Sequence, residues 1–186
     1  EDTASNIAAI LNNNSADSLD NASDVNVVDG TIDVAAADAV QDITAYDAVD
    51  SDYNIEDDAS AILSTTGVDA VVDSGVDQVF VTDSSVDAAT GAELNDLEIA
   101  LEGVGGTDIE FTVTDSAGAV ASELSSMTGD ELDEANDVNV VGGTIDVAEA
   151  AAVQDISAYD AVDSSYVIED SAGSVLGDTG TILDGG

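Results

Sequence analysis

The chain has no lysine, arginine or histidine, and against that absence stand 42 aspartates and glutamates in 186 residues, a formal charge of −42. No side-chain salt bridge can form in such a chain. Every carboxylate must be held by water, backbone N–H groups, hydroxyls and amides, or by cations drawn from outside. Without a basic patch, the chain is expected to bind no nucleic acid and no anionic membrane, since both would repel it. Missing lysine also excludes the lysine-to-asparagine cross-links that brace some surface proteins. Cysteine is absent, which removes disulfides and thiolate metal sites. With two Phe, four Tyr and no Trp, a core must be built mainly from Val, Ile, Leu and Ala, in thin layers. No apolar run is long enough to insert in a membrane and no charged-then-apolar leader is visible, so the expectation is a soluble mature chain or a piece of a larger one.

What is present points to a folded protein. Charge at this density usually signals disorder, yet 44% of the residues are hydrophobic and Val, Ile and Leu recur in short ordered bursts. The length suits one or two compact domains or one short repeat array. An acidic excess without internal partners is best tolerated where divalent cations or salt are plentiful. An extracellular or cell-surface location is therefore expected, ahead of a halophilic cytoplasm.

"DVNVVDGTIDV" at 24–34 returns as "DVNVVGGTIDV" at 137–147, an offset of 113 residues. Residues 17–62 laid on 130–175 match at roughly seven positions in ten, which makes repetition the first fact about the architecture. "EDTASNI" at 1–7 falls on "TDSAGAV" at 114–120, so the chain is expected to open inside a unit. The expected organisation is a single array over 1–186, with a partial unit 1–16 and repeats 17–73, 74–129 and 130–186.

A shorter period lies inside the long one. "VNVVD" from Val25, "YNIED" from Tyr53, "VFVTD" from Val79, "FTVTD" from Phe111, "VNVVG" from Val138 and "YVIED" from Tyr166 start 28, 26, 32, 27 and 28 residues apart. Each has large apolar groups at its first and third positions, the period-2 pattern of a strand. Between them the period changes. After Asp33, "VAAADAVQDI" sets Ala36, Ala39, Val40 and Ile43 along one helical face; after Asp146, "VAEAAAVQDI" does the same, with Asp146 and Glu149 spaced as a capping box. Asp87 before "AATGAELNDL" is a third helix start, and "DDASAIL", "DSAGAVASEL" and "DSAGSVL" are shorter ones. This pattern predicts an α/β repeat solenoid with parallel strands, one per about 28 residues, and short helices. The alternative is a parallel β-helix, if the Ala-rich stretches are extended. Val25, Val27, Tyr53, Ile55, Val79, Val81, Phe111, Val113, Val138, Val140, Tyr166 and Ile168 are expected to point into one core. Tyr46 and Tyr159 recur at matched places, as do Tyr53 and Tyr166, which reads as packing.

"IEDDASAIL" at 55–63 and "EDTASNIAAIL" at 1–11, each followed by a gap and another V-x-V-x-D, resemble the tandem repeats with "DTAAN"-like cores of large secreted bacterial surface proteins and adhesins. The likeness covers nearly the whole chain. It implies a surface or matrix role, often alongside calcium-binding modules. The calcium-binding glycine-rich nonapeptide pattern itself is not met: "GGTIDV" at 142–147 has Ile145 where that pattern needs Gly.

The candidate site residues are aspartates at the strand ends: Asp29, Asp57, Asp83, Asp115 and Asp170 after the apolar phrases, and Asp24, Asp52 and Asp137 before them. One reading makes the first group N-caps or Asx-turns. The other makes these residues calcium ligands. Stacked about 5 Å apart on parallel strands, unit charges repel by roughly 1 kcal/mol in water and about 3 at an effective dielectric of 20. Calcium, wanting six to eight oxygens, would remove that repulsion. "DSDYNIEDD" at 50–58 is not an EF-hand loop, because Ile55 stands where Gly is needed and Ala61 where Glu is needed. "AVVDSGVD" at 70–77 and "DTG" at 178–180 resemble aspartic-protease turns, but Asp178 falls on Thr65 at the long offset, so Asp73 and Asp178 are not equivalent members of a duplicated dyad. "NNNS" at 12–15 and "NAS" at 21–23 contain glycosylation patterns at Asn13 and Asn21, and read in a bacterial protein as polar turns. The expected function is a non-enzymatic, calcium-binding structural protein that self-associates head-to-tail into a filament, adhesin or biofilm-matrix fibre. The alternatives are a monomeric calcium buffer or mineral-surface binder, and a carboxylate-dependent hydrolase.

Overall fold

The computed structural model describes residues 2–13, 19, 21–102, 107–126, 132–177 and 182. Its elements are α1 (Ala4–Asn13), β1 (Val28–Ile32), α2 (Val34–Gln41), β2 (Asp52–Asp57), α3 (Ala59–Ile62), α4 (Thr65–Val71), β3 (Val76–Val81), α5 (Ala88–Glu102), β4 (Asp108–Glu110), β5 (Thr112–Asp115), α6 (Ala117–Ser126), β6 (Asp137–Ile145), α7 (Val147–Gln154), β7 (Ser165–Ile168) and α8 (Ala172–Gly177). The chain is α/β, with parallel strands in two sheets and short helices between them. The Ala-rich stretches are helical, so the extended alternative does not apply to them.

Two compact units form, Glu1–Asp83 with Leu97–Glu110, and Ser84–Asp96 with Phe111–Gly186. The boundaries fall inside the expected repeat 74–129, the last of them between Glu110 and the phrase that starts at Phe111. In the first unit four parallel strands follow the order β1-β2-β3-β4; in the second, three follow β5-β6-β7. The expectation of one shared core is therefore replaced by a core in each unit.

Within the first unit the apolar alternation does what period 2 requires: Val25, Val27, Tyr53, Ile55 and Val79 are buried, and Ile7, Ala37, Val40, Ile62 and Val71 bury the facing helix sides. Asp33, Asp58 and Ser64 begin α2, α3 and α4, each accepting from the backbone N–H three residues on, at 2.7, 2.9 and 3.0 Å. Gly67 permits α4 to lie on α3: a Cβ there would sit 2.1 Å from the Ala61 carbonyl oxygen. In the second unit Phe111, Val113, Val138 and Val140 are buried with Val120, Leu132, Ala150 and Val153. The capping box forms as expected, Glu149 N–H to Asp146 Oδ1 at 2.8 Å and Asp146 N–H to Glu149 Oε2 at 2.9 Å. Val81, Tyr166 and Ile168 are half-buried rather than buried.

The long sequence repeat is also a repeat of pairing. Asp2 bridges to Val27 as Asp115 pairs with Val140, and Val25 to Tyr46 as Val138 to Tyr159. Val28, Thr31 and Ile32 meet Asp52, Asn54 and Ile55, as Val141, Thr144 and Ile145 meet Ser165, Val167 and Ile168. Polar contacts follow: Gln41 Nε2 donates to Tyr53 Oη at 2.8 Å, and Gln154 Nε2 to Tyr166 Oη at 2.7 Å.

Two local expectations are corrected. On α2 the buried positions are Val34, Ala37 and Val40, with Ile43 just beyond, while Ala36 and Ala39 are half-buried; the cap at Asp33 sets a face that starts one residue into the helix. In β1, three residues separate Val28 from Thr31 while two separate their partners, so the strand carries a bulge. Asp29 and Gly30 have φ of 64° and 103° there, and Gly142 and Gly143 have 75° and 95° at the matching place. Asp29 is thus at a mid-strand bulge, not at a strand end.

Candidate functional site

The strand-end carboxylates are bound chiefly to backbone. Asp57 Oδ2 accepts from Val34 N–H at 3.1 Å and its Oδ1 from Asp58 N–H at 2.9 Å. Asp115 repeats this with Ala88 N–H at 3.1 Å and Ser116 N–H at 2.6 Å. Asp83 Oδ2 accepts from Ala59 N–H at 2.8 Å, and Asp170 from Val147 N–H at 3.4 Å and from Ser171 N–H. In each case one carboxylate reaches back 23–27 residues to the first amide of an earlier helix. Such an amide has no partner inside its own helix, so the aspartate satisfies it and sits at the positive end of the helix dipole. The Ser171 amide, first among its contacts, holds the Asp170 carboxyl below its ordinary value.

These aspartates do not form a stacked ladder. Asp57 pairs with Val81, two residues before Asp83, and Asp115 pairs with Val140. The expected 5 Å repulsion between like strand ends is therefore absent from these pairs. The eight candidates do not converge: Asp29 caps its own bulge by accepting from Gly30 N–H at 2.7 Å, and Asp24 is exposed. Among the described residues, no group of three or more carboxylates is placed to hold a metal ion.

Two other features gather polar groups. Asp52, with Asp50 and Asp77, lines a pocket of about 390 Å³ shared with Ser51, Ser74 and Gly75. Beside it Tyr46 Oη donates to Asp73 Oδ1 at 2.6 Å, and Gly75 N–H donates to the same oxygen at 2.9 Å. Burial, and then the Asp73 carboxylate, push the Tyr46 phenol well above its ordinary value; burial pushes Tyr159 up to about 12. Asp73 is thus held by a turn and a phenol, while Asp178 and the serine of "NNNS" lie outside the described residues.

The second feature escaped the sequence reading. Asn26 and Asn139, 113 residues apart, each bury an Oδ1 that has no hydrogen-bond partner among the described residues. Asn139 Nδ2 donates to Asp137 Oδ2 at 2.8 Å, which fixes the amide orientation, since a flip would set two oxygens against each other. The signal available in the sequence was a polar residue at the centre of both "VNV" phrases. A buried acceptor left unmet costs about 1–3 kcal/mol, and a cation or a water can meet it. No protein-family model, curated protein or solved structure matches the chain.

Proposed function

We propose that the chain is a segment of a secreted, extracellular structural repeat protein, an α/β solenoid that binds calcium and builds or extends a surface filament, adhesin or biofilm-matrix fibre, without enzymatic activity. The observation that carries this reading is the recurrence of one strand-pairing register at the 113-residue offset, with every named strand parallel to its sequence neighbour in its sheet. Units of this kind bury their apolar faces against their neighbours, which suits extension rather than a closed active site. The resemblance to "DTAAN"-type surface repeats favours the same role.

Calcium enters through charge and through the asparagines. A charge of −42 with no internal partner makes the compact state self-repelling. Asp137 and Asn139 share one face of β6, which sets an oxygen acceptor two residues from a carboxylate, and Asp24 and Asn26 have the same spacing, chemistry that suits a hard cation. An ion that binds the folded array stabilises it by RT ln(1 + [L]/Kd) per site. The test is thermal unfolding at fixed ionic strength, in calcium and in sodium with chelator. Calcium is expected to raise the midpoint, and Asp137→Asn to reduce that gain. Equal midpoints in the two buffers would remove calcium from the reading.

A further inference from the structure

Among the described residues, one aspartate is followed directly by glycine: Asp29, with Gly30 after it. Both stand in the bulge of β1, where Val28 pairs with Asp52, Thr31 pairs with Asn54, and neither 29 nor 30 has a partner in the register. Gly30 N–H donates to Asp29 Oδ1 at 2.7 Å, which sets the amide nitrogen beside the carboxyl group that bears that oxygen. Asp29 is exposed, and its φ of 64° lies in the left-handed region that an L residue enters at a cost. At the matching place in the second unit Gly142 meets a φ of 75° without a side chain, and a Cβ added there would meet nothing within 4 Å. Open space at this position is thus common to both copies of the bulge.

Other aspartates also accept from the amide that follows them, yet each is held twice. Asp57, Asp115 and Asp170 place the second oxygen on an earlier helix amide, and Asp2 Oδ1 takes Asn6 Nδ2 at 2.7 Å besides Thr3 N–H at 2.8 Å. The residues after these four all carry a side chain that crowds the nitrogen. Asp29 combines a single tether among the described residues with a following nitrogen that no Cβ shields.

We propose that Asp29–Gly30 is a site of spontaneous covalent modification, at which the Gly30 nitrogen closes on the Asp29 carboxyl and the chain is rerouted through an isoaspartyl linkage. The nitrogen attacks Asp29 Cγ in the acid form of the side chain. An N–Cγ bond forms, the Cγ–OH bond breaks, and the hydroxyl leaves with the amide proton as water, which gives a cyclic succinimide. Water then adds to either imide carbonyl. Breaking N–Cγ restores aspartate; breaking the bond from nitrogen to the main-chain carbonyl carbon frees the α-carboxylate and leaves the backbone running through Cγ, one methylene longer. Water is the only co-reactant. The bulge can absorb the added atom, because the pairings at Val28 and Thr31 lie on either side of it.

The test incubates the folded chain warm, in neutral to mildly acidic buffer, over weeks. Samples are then unfolded and cut with a protease that cleaves before aspartate but not before isoaspartate. Unmodified chain is cut before Asp24, Asp29 and Asp33 and gives 24–28 and 29–32 as separate peptides. The expected result is progressive loss of the cut before Asp29, with a joined peptide 24–32 either lighter by one water or of full mass. An isoaspartyl methyltransferase should label the full-mass form. Asp29→Gly, which copies the glycine pair at 142–143, should keep the circular dichroism spectrum and lose the label on 24–32. The Asp–Gly pair at 184–185 lies outside the described residues and reports in a different peptide. A folded chain with no label on 24–32 overturns the proposal, and label there only after prior unfolding in urea would show that the bulge protects the pair. Earlier labelling of the folded chain at Asp57, Asp115 or Asp170 would overturn it as well, since the doubly held aspartates would then be the reactive ones.

Discussion

Replacing Asp57 with alanine isolates the bond that ties one strand–helix unit to the next. The substitution removes the acceptor for Val34 N–H and the acceptor for Asp58 N–H, at 3.1 and 2.9 Å. The first is an N-terminal helix amide whose cap comes from the following strand, and losing such a cap costs about 1 kcal/mol. The second amide belongs to an exposed residue, where water can take over the bond, so little is added. Acting the other way, one negative charge leaves a strongly acidic chain, which relieves repulsion. At about 1 M salt the screening length falls to roughly 3 Å, and the cap should dominate. The expected result is a loss of about 1 kcal/mol in urea unfolding at high salt, smaller at low salt. In hydrogen exchange the Val34 amide should exchange roughly fivefold faster, the factor that 1 kcal/mol implies for local opening. Asp170→Ala, whose bond to Val147 is longer at 3.4 Å, should show a weaker effect on that amide. An Asp57→Ala chain equally stable at high salt, with Val34 protection intact, would refute the cross-unit cap.

Gly67→Ala should destabilise, although helix propensity alone favours alanine by about 1 kcal/mol, because the new Cβ would meet backbone oxygens of Ala61 and Ile62 at 2.1 and 2.4 Å. Overpacking of this sort costs about 1–3 kcal/mol; a higher urea midpoint would show that α4 does not approach α3 so closely. Acid should also weaken the fold when salt screens the repulsion. Asp58, held down first by the Ser60 hydroxyl, Asp87, held down first by the Thr90 amide, and Asp170, held down first by the Ser171 amide, all lie below the ordinary aspartate value in the folded chain. Depressed carboxyls stabilise above the unfolded value and lose that contribution as pH falls through the folded one. Melting temperature at high salt should therefore be flat above about pH 5 and decline below about pH 4; a rise through that window would contradict the capping roles.

The helix starts were legible because they are local. Asp33, Asp87 and Asp146 each meet an amide three residues away, a span that sequence spacing specifies. The partner of Asp57 is 23 residues off, and nothing in "YNIED" distinguishes an aspartate that reaches back to another helix from one that awaits a cation. Even the shared phrase misled at Asp29: "VNVVD" looks like "YNIED", but the bulge at 29–30 places its aspartate inside a strand. The asparagines were overlooked because an orphaned acceptor is defined by what fails to surround it.

By itself the sequence determined that every carboxylate must find a non-ionic or external partner, since that follows from composition. It also determined the 113-residue repeat and the parallel strand-and-helix alternation, since hydrophobic periodicity and capping residues act over a few neighbours. Only the tertiary structure decided which amides the aspartates satisfy, where the bulges fall, and that the strands divide into two sheets. Those outcomes depend on register between distant segments, and register is fixed by packing on both faces of a strand at once, information that no single stretch of chain contains.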